Sequence, residues 1–195
     1  FFFLNLWQTG KLPKLRIFAP ADADELRQCI NTIVKNPAPS YIRIGKKGEK
    51  AIPQSSKRFK IAKHKIIKKG ESILFISTGN MTAQTIEISN QINKTLGTNI
   101  ELVHAPTIKP FDTAFFKKNA NRYNHIFTFE EHSIIGGLGS CVSETITSLG
   151  FQDLKLHTFG IKDKFLHNSV SQIEARKFHG IDPMTLIKKI IKILK

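Results

Sequence analysis

The chain has 195 residues, 41% hydrophobic and 23% charged, enough for one sizeable core or for one domain and part of another. No apolar run reaches the roughly 18 residues of a membrane-spanning helix, so no membrane span is expected. The formal charge of +15 is unusual, but the lysines are spread along the chain, and the densest basic stretch, residues 57–69, has no aromatic platform beyond Phe59, so nucleic-acid binding is not expected.

The opening FFFLNLW (1–7) is apolar but short. No basic residues precede it and no small-residue cleavage site follows closely, which argues against a secretory signal. An apolar start without Met reads as a cut through a domain. Residues 15–19 predict a strand that Pro20 ends. Asp22 is a good helix N-cap, and Glu25 three residues later completes a capping box. Leu26, Ile30, Ile33 and Val34 then recur at helical spacing. The run NPAP at 36–39 stops that helix, and 40–44 predicts the next strand. Residues 49–70, rich in Gly, Pro, Ser and Lys, read as an interdomain linker with room for a small hairpin.

A cleaner α/β unit starts at 71. Residues 73–76 form a continuous apolar run, as in a strand buried on both faces. Thr78 to Asn80 turn the chain into a helix over 81–96, followed by a strand at 100–104. Residues 106–110 predict a turn, and Asp112 caps a helix to about 121. A strand at 125–129 leads through glycines into a helix ending near 149, then a strand at 154–159. A helix over 171–178 stops at Gly180. Asp182 and Pro183 open a last amphipathic helix. The alternation predicts an α/β fold with a mostly parallel open sheet and helices on both faces.

The candidate sites lie where strands end. Gly136, Gly137 and Gly139 let the backbone turn sharply before a helix N-terminus. They form neither a phosphate-binding P-loop nor a dinucleotide fingerprint, because no Gly-Lys-Ser/Thr follows and Val142 stands where a third glycine belongs. A tight packing turn or subunit contact is the favoured reading, with an anion site as the alternative. Glu130, Glu131 and His132 could do acid–base work, but a strand-end cluster bonded to neighbouring loops or a partner domain is favoured. Arg43, at a strand end, can grip a phosphate bidentately or form a surface salt bridge. The histidines show no metal-ligand spacing. The two cysteines, Cys29 and Cys141, offer no disulfide framework, and a reduced cytoplasmic setting is expected.

Several motifs, in order and spacing, resemble the transketolase family over almost the whole chain. LPKLRIFAPADADEL (12–26) and PSYIRIG (39–45) are similar to the end of that family's pyrimidine-binding domain. STGNM (77–81), TIKPFD (107–112), EEHSIIGGLGS (130–140), GIKDKF (160–165) and HGIDPMTLI (179–187) are similar to its C-terminal domain. The resemblance implies a remnant of the pyrimidine-binding domain at 1–48, a linker at 49–70 and a complete C-terminal domain at 71–195. It implies a parent enzyme that uses thiamine diphosphate and Mg2+ to move a two-carbon ketol unit between sugar phosphates. The family's metal-binding Gly-Asp-Gly is not in this sequence, and its activating glutamate and substrate-contacting histidine loop would precede residue 1. The implied role is architectural and at a dimer interface, inactive alone, with an N-terminal diphosphate-binding half as partner in a homodimer or heterotetramer. Arg43 is the one implied contact to a sugar-phosphate substrate. A 1-deoxyxylulose-5-phosphate synthase, a 2-oxoacid dehydrogenase beta subunit and a non-catalytic docking subunit remain alternatives.

Overall fold

The computed structural model describes residues 12–45, 49–53, 58–166 and 170–195. The apolar opening at 1–7 lies outside the described residues. Two sheets organise the fold. The smaller is formed by β1 (Arg16–Phe18), β2 (Ser40–Ile42) and β6 (Thr107–Lys109), in the order β2-β1-β6. The larger contains β3 (Lys65–Lys68), β4 (Ser72–Ser77), β5 (Glu101–His104), β7 (Tyr123–Ser133) and β8 (Lys155–Ile161), in the order β3-β5-β4-β7-β8. Strands β5, β4, β7 and β8 run parallel, and β3 is antiparallel at one edge. The expected mostly parallel sheet is what the chain forms.

Side-chain alternation splits the core across the large sheet. Ile73 and Phe75 of β4 face one layer; Leu74 and Ile76 face the other. On the first face Met81, Ile88 and Ile92 of α2 (Met81–Leu96) and Leu186 and Ile190 of α6 (Pro183–Leu194) cover Phe127 and Phe129. On the second, Phe116 of α3 (Thr113–Asn119) and Val142 and Ile146 of α4 (Leu138–Ser148) meet Ile17 of β1 and Ile108 of β6. The large sheet's second layer therefore continues into the small sheet. A separate cluster of Phe18, Cys29 and Phe59 sits under α1 (Ala23–Lys35). Helix α5 (Gln172–His179) carries a full capping box of Ser171 and Glu174 at its start.

Three local expectations change. The stretch read as a linker carries β3, which pairs with β5. Its sequence, KIIK, is short and basic, which is how an edge strand is protected from further pairing. The stretch read as a turn before Pro110 is β6, antiparallel to β1. Its strand character comes wholly from a partner distant in sequence. Finally, Glu25 does not close a capping box on Asp22. Asp22 Oδ1 accepts the Glu25 N–H at 2.9 Å, but Glu25 Oε2 accepts from Ala21 N at 2.7 Å and meets Nε2 of His104, also at 2.7 Å.

Candidate functional site

The carboxyl ends of β2, β4, β7 and β8 converge on one crevice of about 290 Å3. In an open α/β sheet this is the edge where loops can face a ligand. Arg43 enters from the end of β2. Asn80 comes from the loop before α2, Glu131 and His132 from β7, and Gln172, Arg176 and His179 from α5.

Strand β7 runs to Ser133, four residues past its expected end, so Glu130, Glu131 and His132 sit on the strand and alternate in direction. Glu131 faces α5. Its Oε1 accepts from Arg176 Nε at 2.7 Å, and its two carboxylate oxygens accept from Gln172 Nε2 at 2.9 and 2.8 Å. Asn80 Nδ2 also donates to this carboxylate, and Arg43 Nη2 donates to the Glu131 carbonyl. Side-chain exposures of 12% for Glu131 and 18% for Arg176 place the ion pair largely out of water.

Glu130 points the opposite way and is fully buried. Its Oε2 accepts from Leu138 N at 2.7 Å and its Oε1 from Gly139 N at 2.9 Å. The amino end of α4 is thus capped by the chain's own carboxylate, where the helix dipole favours a negative charge. Burial nevertheless pushes the Glu130 carboxyl up to about 7, against the pull of the two N–H donors and of Arg43. The glycines make this approach possible. Gly136 sits at φ +71, in the left-handed region. A Cβ on Gly137 would lie 1.8 Å from Glu130 Oε2. The glycine loop therefore wraps an internal carboxyl group of the chain itself.

His132 is buried, and its Nδ1–H donates to the Ser133 carbonyl at 3.1 Å. Burial, helped by the charge of Arg43, holds its pKa down at about 4, so the ring is neutral at pH 7. Among the candidates, Arg43, Glu131 and His132 meet at the crevice, while Glu130, Gly137 and Gly139 form a separate internal cluster behind it.

A second polar cluster went unread in the sequence. Glu25, fully buried, pairs through Oε1 with Lys65 Nζ at 2.8 Å and through Oε2 with His104 Nε2. His104 Nδ1 lies 2.8 Å from Thr82 Oγ1, which in turn accepts from Ser77 Oγ at 3.1 Å. Burial alone would raise the Glu25 carboxyl, but the charge and hydrogen bond of His104, with those of Lys65, outweigh it and bring it down to about 2. The cluster ties α1 to β3, β5 and α2. Asn80, Gln172, Arg176 and His179 were also missed. Their only sequence signal is a place near a helix end, which many polar residues share.

The sequence pattern of the family "Transketolase, C-terminal domain" matches residues 62–185. A protein of Methanocaldococcus jannaschii, described as a transketolase C-terminal section, is 33% identical over 186 residues, covering 94% of this chain and 57% of that one. A 1-deoxy-D-xylulose-5-phosphate synthase of Dictyoglomus thermophilum is 30% identical, over 94% of this chain and 30% of its own length. Among solved structures, a split-gene transketolase in an inactive beta4 tetramer superposes with a TM-score of 0.83 at 26% identity, over 96% of this chain and 59% of that one. A transketolase of Campylobacter jejuni shares the fold, with a TM-score of 0.64 at 13% identity. The chain thus spans little more than half of the first of these relatives and less than a third of the synthase. On the match over residues 62–185 and the identity across nearly all of its length, the chain belongs to the transketolase family and carries that family's C-terminal domain.

Proposed function

We propose that this chain is the C-terminal portion of a thiamine-diphosphate-dependent, transketolase-like enzyme of the cytoplasm, and that it is inactive alone. Its role is architectural, together with a share in a dimer interface. The joined enzyme moves a two-carbon ketol unit between sugar phosphates. Residues 1–48 belong with the pyrimidine-binding domain, and the C-terminal domain takes in β3, at the end of the segment 49–70, together with residues 71–195. The observation that supports this most is the use to which the candidate acid–base groups are put. Glu130 caps α4, and Glu131 is held by Arg176, Gln172 and Asn80. Both carboxylates serve the frame.

The residues present do not fit magnesium. Among the described residues no group of three or more His, Cys, Asp or Glu side chains stands together, and the sequence has no Gly-Asp-Gly. Metal and diphosphate are therefore assigned to an N-terminal, diphosphate-binding half, in a homodimer or heterotetramer. The likeness to a split-gene transketolase supports such a partner. Arg43 is the residue of this chain assigned to a substrate phosphate in the joined enzyme. The synthase relatives support a second reading, in which the joined enzyme makes 1-deoxyxylulose 5-phosphate.

Titration calorimetry with thiamine diphosphate and Mg2+ tests the proposal, first on this chain and then on its mixture with a diphosphate-binding half of the family. Binding is expected in the mixture and not in the chain. Tight binding by the chain, or ketol transfer by it, would overturn the assignment. Product analysis of the mixture separates transketolase from synthase.

A further inference from the structure

His125 on β7 and His157 on β8 are 32 positions apart in sequence, and the parallel register brings them together. His157 stands opposite Phe127, so His125 lies one diagonal step away on the same face of the sheet. Nδ1 of His125 is 3.1 Å from Nε2 of His157, with the ring planes 12° and the centroids 5.4 Å apart. The rings therefore meet edge to edge. Phe127, fully buried, stacks on both, at 4.6 Å from the His157 ring and 6.0 Å from that of His125, and fixes where they sit. Both imidazoles are half-buried, so solvent and small solutes reach them.

At this separation a ring N–H of one imidazole can donate to the bare nitrogen of the other, and a metal ion can take that proton's place. Burial, with the charge of Lys155, lowers the pKa of His125; burial, with the charges of His125 and Lys155, lowers that of His157. Both rings are thus neutral at pH 7, the form that ligates metals. An ion at the usual distance of roughly 2.0–2.1 Å from each nitrogen would see the 3.1 Å pair at an angle of roughly 95–100°, between the square-planar and tetrahedral values. A small swing of the two half-buried rings aims both nitrogens at it. The Cys29 and Cys141 thiols, pushed up to about 12, compete poorly for such an ion.

We propose that His125 and His157 form a surface site for a divalent transition-metal ion of the class that prefers imidazole, such as zinc or copper, with water in its other positions. Imidazole suits these ions, whereas magnesium takes oxygen ligands. Among the described residues no third His, Cys, Asp or Glu completes a cage, so the ion exchanges with solvent, unlike one in a closed four-ligand structural site. Strand β8 is an outer strand of the large sheet, and the ion clips it to β7. Glu131, at the crevice, lies roughly 20 Å further along β7. The site is therefore separate from the crevice and independent of the assembly proposed above.

The test is calorimetric titration of the untagged chain with zinc chloride and with magnesium chloride, at about pH 7.5 in a non-coordinating buffer. Saturable binding of one Zn2+ per chain is expected, and none of Mg2+. His125→Gln and His157→Gln should each weaken Zn2+ binding by about tenfold or more, since even the outer partners of a metal site are worth that much. Lys155→Gln, which removes the like charge opposite His125, should tighten it. Urea unfolding verifies that the variants keep the fold. Electron paramagnetic resonance of the Cu2+-loaded parent should show coupling to two imidazole nitrogens, and to one in either histidine variant. Absence of saturable Zn2+ binding, equal binding of Mg2+, indifference to either histidine variant, weaker binding by Lys155→Gln, or a Cu2+ spectrum without paired imidazole nitrogens would overturn the site.

Discussion

Glu130 and His132, two positions apart on β7, answer pH in opposite senses. The Glu130 carboxyl lies at about 7 in the fold against 4.5 unperturbed, so between those values the folded state holds a proton that the unfolded state has released. Its contribution is full below about 4.5 and is lost as pH rises towards 7. The imidazoles of His132 and His64 lie at about 4 against 6.5, so the unfolded chain takes up their protons first. Their contribution is full above 6.5 and is lost as pH falls towards 4. The opposing trends overlap and partly cancel. Urea unfolding of Glu130→Gln from pH 4.5 to 7 should therefore show a steeper rise with pH than the parent, by on the order of 1–3 kcal/mol across the window. An unchanged profile would mean that Glu130 is ionised throughout. The thiols give a second expectation. Burial pushes Cys29 and Cys141 up to about 12, so neither should react with a thiol reagent at pH 8 until the chain unfolds. Rapid labelling of the native chain would contradict this. Of the site, the sequence made Arg43, Glu131 and His132 legible, because each ends a recognisable strand. It could not reveal Arg176 or His179, which reach the crevice only through the packing of α5.

At the level of elements, the strongest sequence signals were those set by local chemistry. The helix predicted over 81–96 is α2 to the residue, bounded by the Asn80 turn and by Gly97 in the left-handed conformation. Helix α6 follows the same logic, with Asp182 Oδ1 accepting from Thr185 N and Pro183 at the first turn. Elements defined by a distant partner were not legible. Strands β3 and β6 are short and lack a clear alternation. Each exists because another strand, β5 or β1, offers it an edge. Helix α6 also makes a quantitative test. Leu186 is fully buried between α2 and the sheet, and Leu186→Ala should cost about 2–5 kcal/mol in urea unfolding. A cost under about 1 kcal/mol would mean that α6 frays from the domain.

At the level of the whole molecule, the two sheets are joined by polar as well as apolar contacts. Lys65 and Glu25 pair across the seam, with side chains 10% and 0% exposed. Removing one member of such a pair leaves a charge out of water without its counterpart, at a cost of about 3–5 kcal/mol, whereas replacing both with apolar residues is far milder. Glu25→Leu should therefore be strongly destabilising, and Glu25→Leu with Lys65→Met should recover much of the loss. Equal stability of the single and double variants would mean that the pair is not coupled. Because the seam is shared, circular dichroism and tyrosine fluorescence should report one coincident unfolding transition. Two separated transitions would mean that the small sheet melts on its own.

The pairing of Phe18 in β1 with Thr107 in β6 bears on biosynthesis. A ribosome elongating at roughly 5–20 residues per second releases β1 several seconds before its third strand exists. Through that interval one edge of β1 is open to any passing strand. A nascent chain stalled short of position 107 would be a substrate for chaperones, and a gene fragment ending there would give insoluble protein. The order of translation thus makes β1 and β2 depend on β6, a strand made long after them.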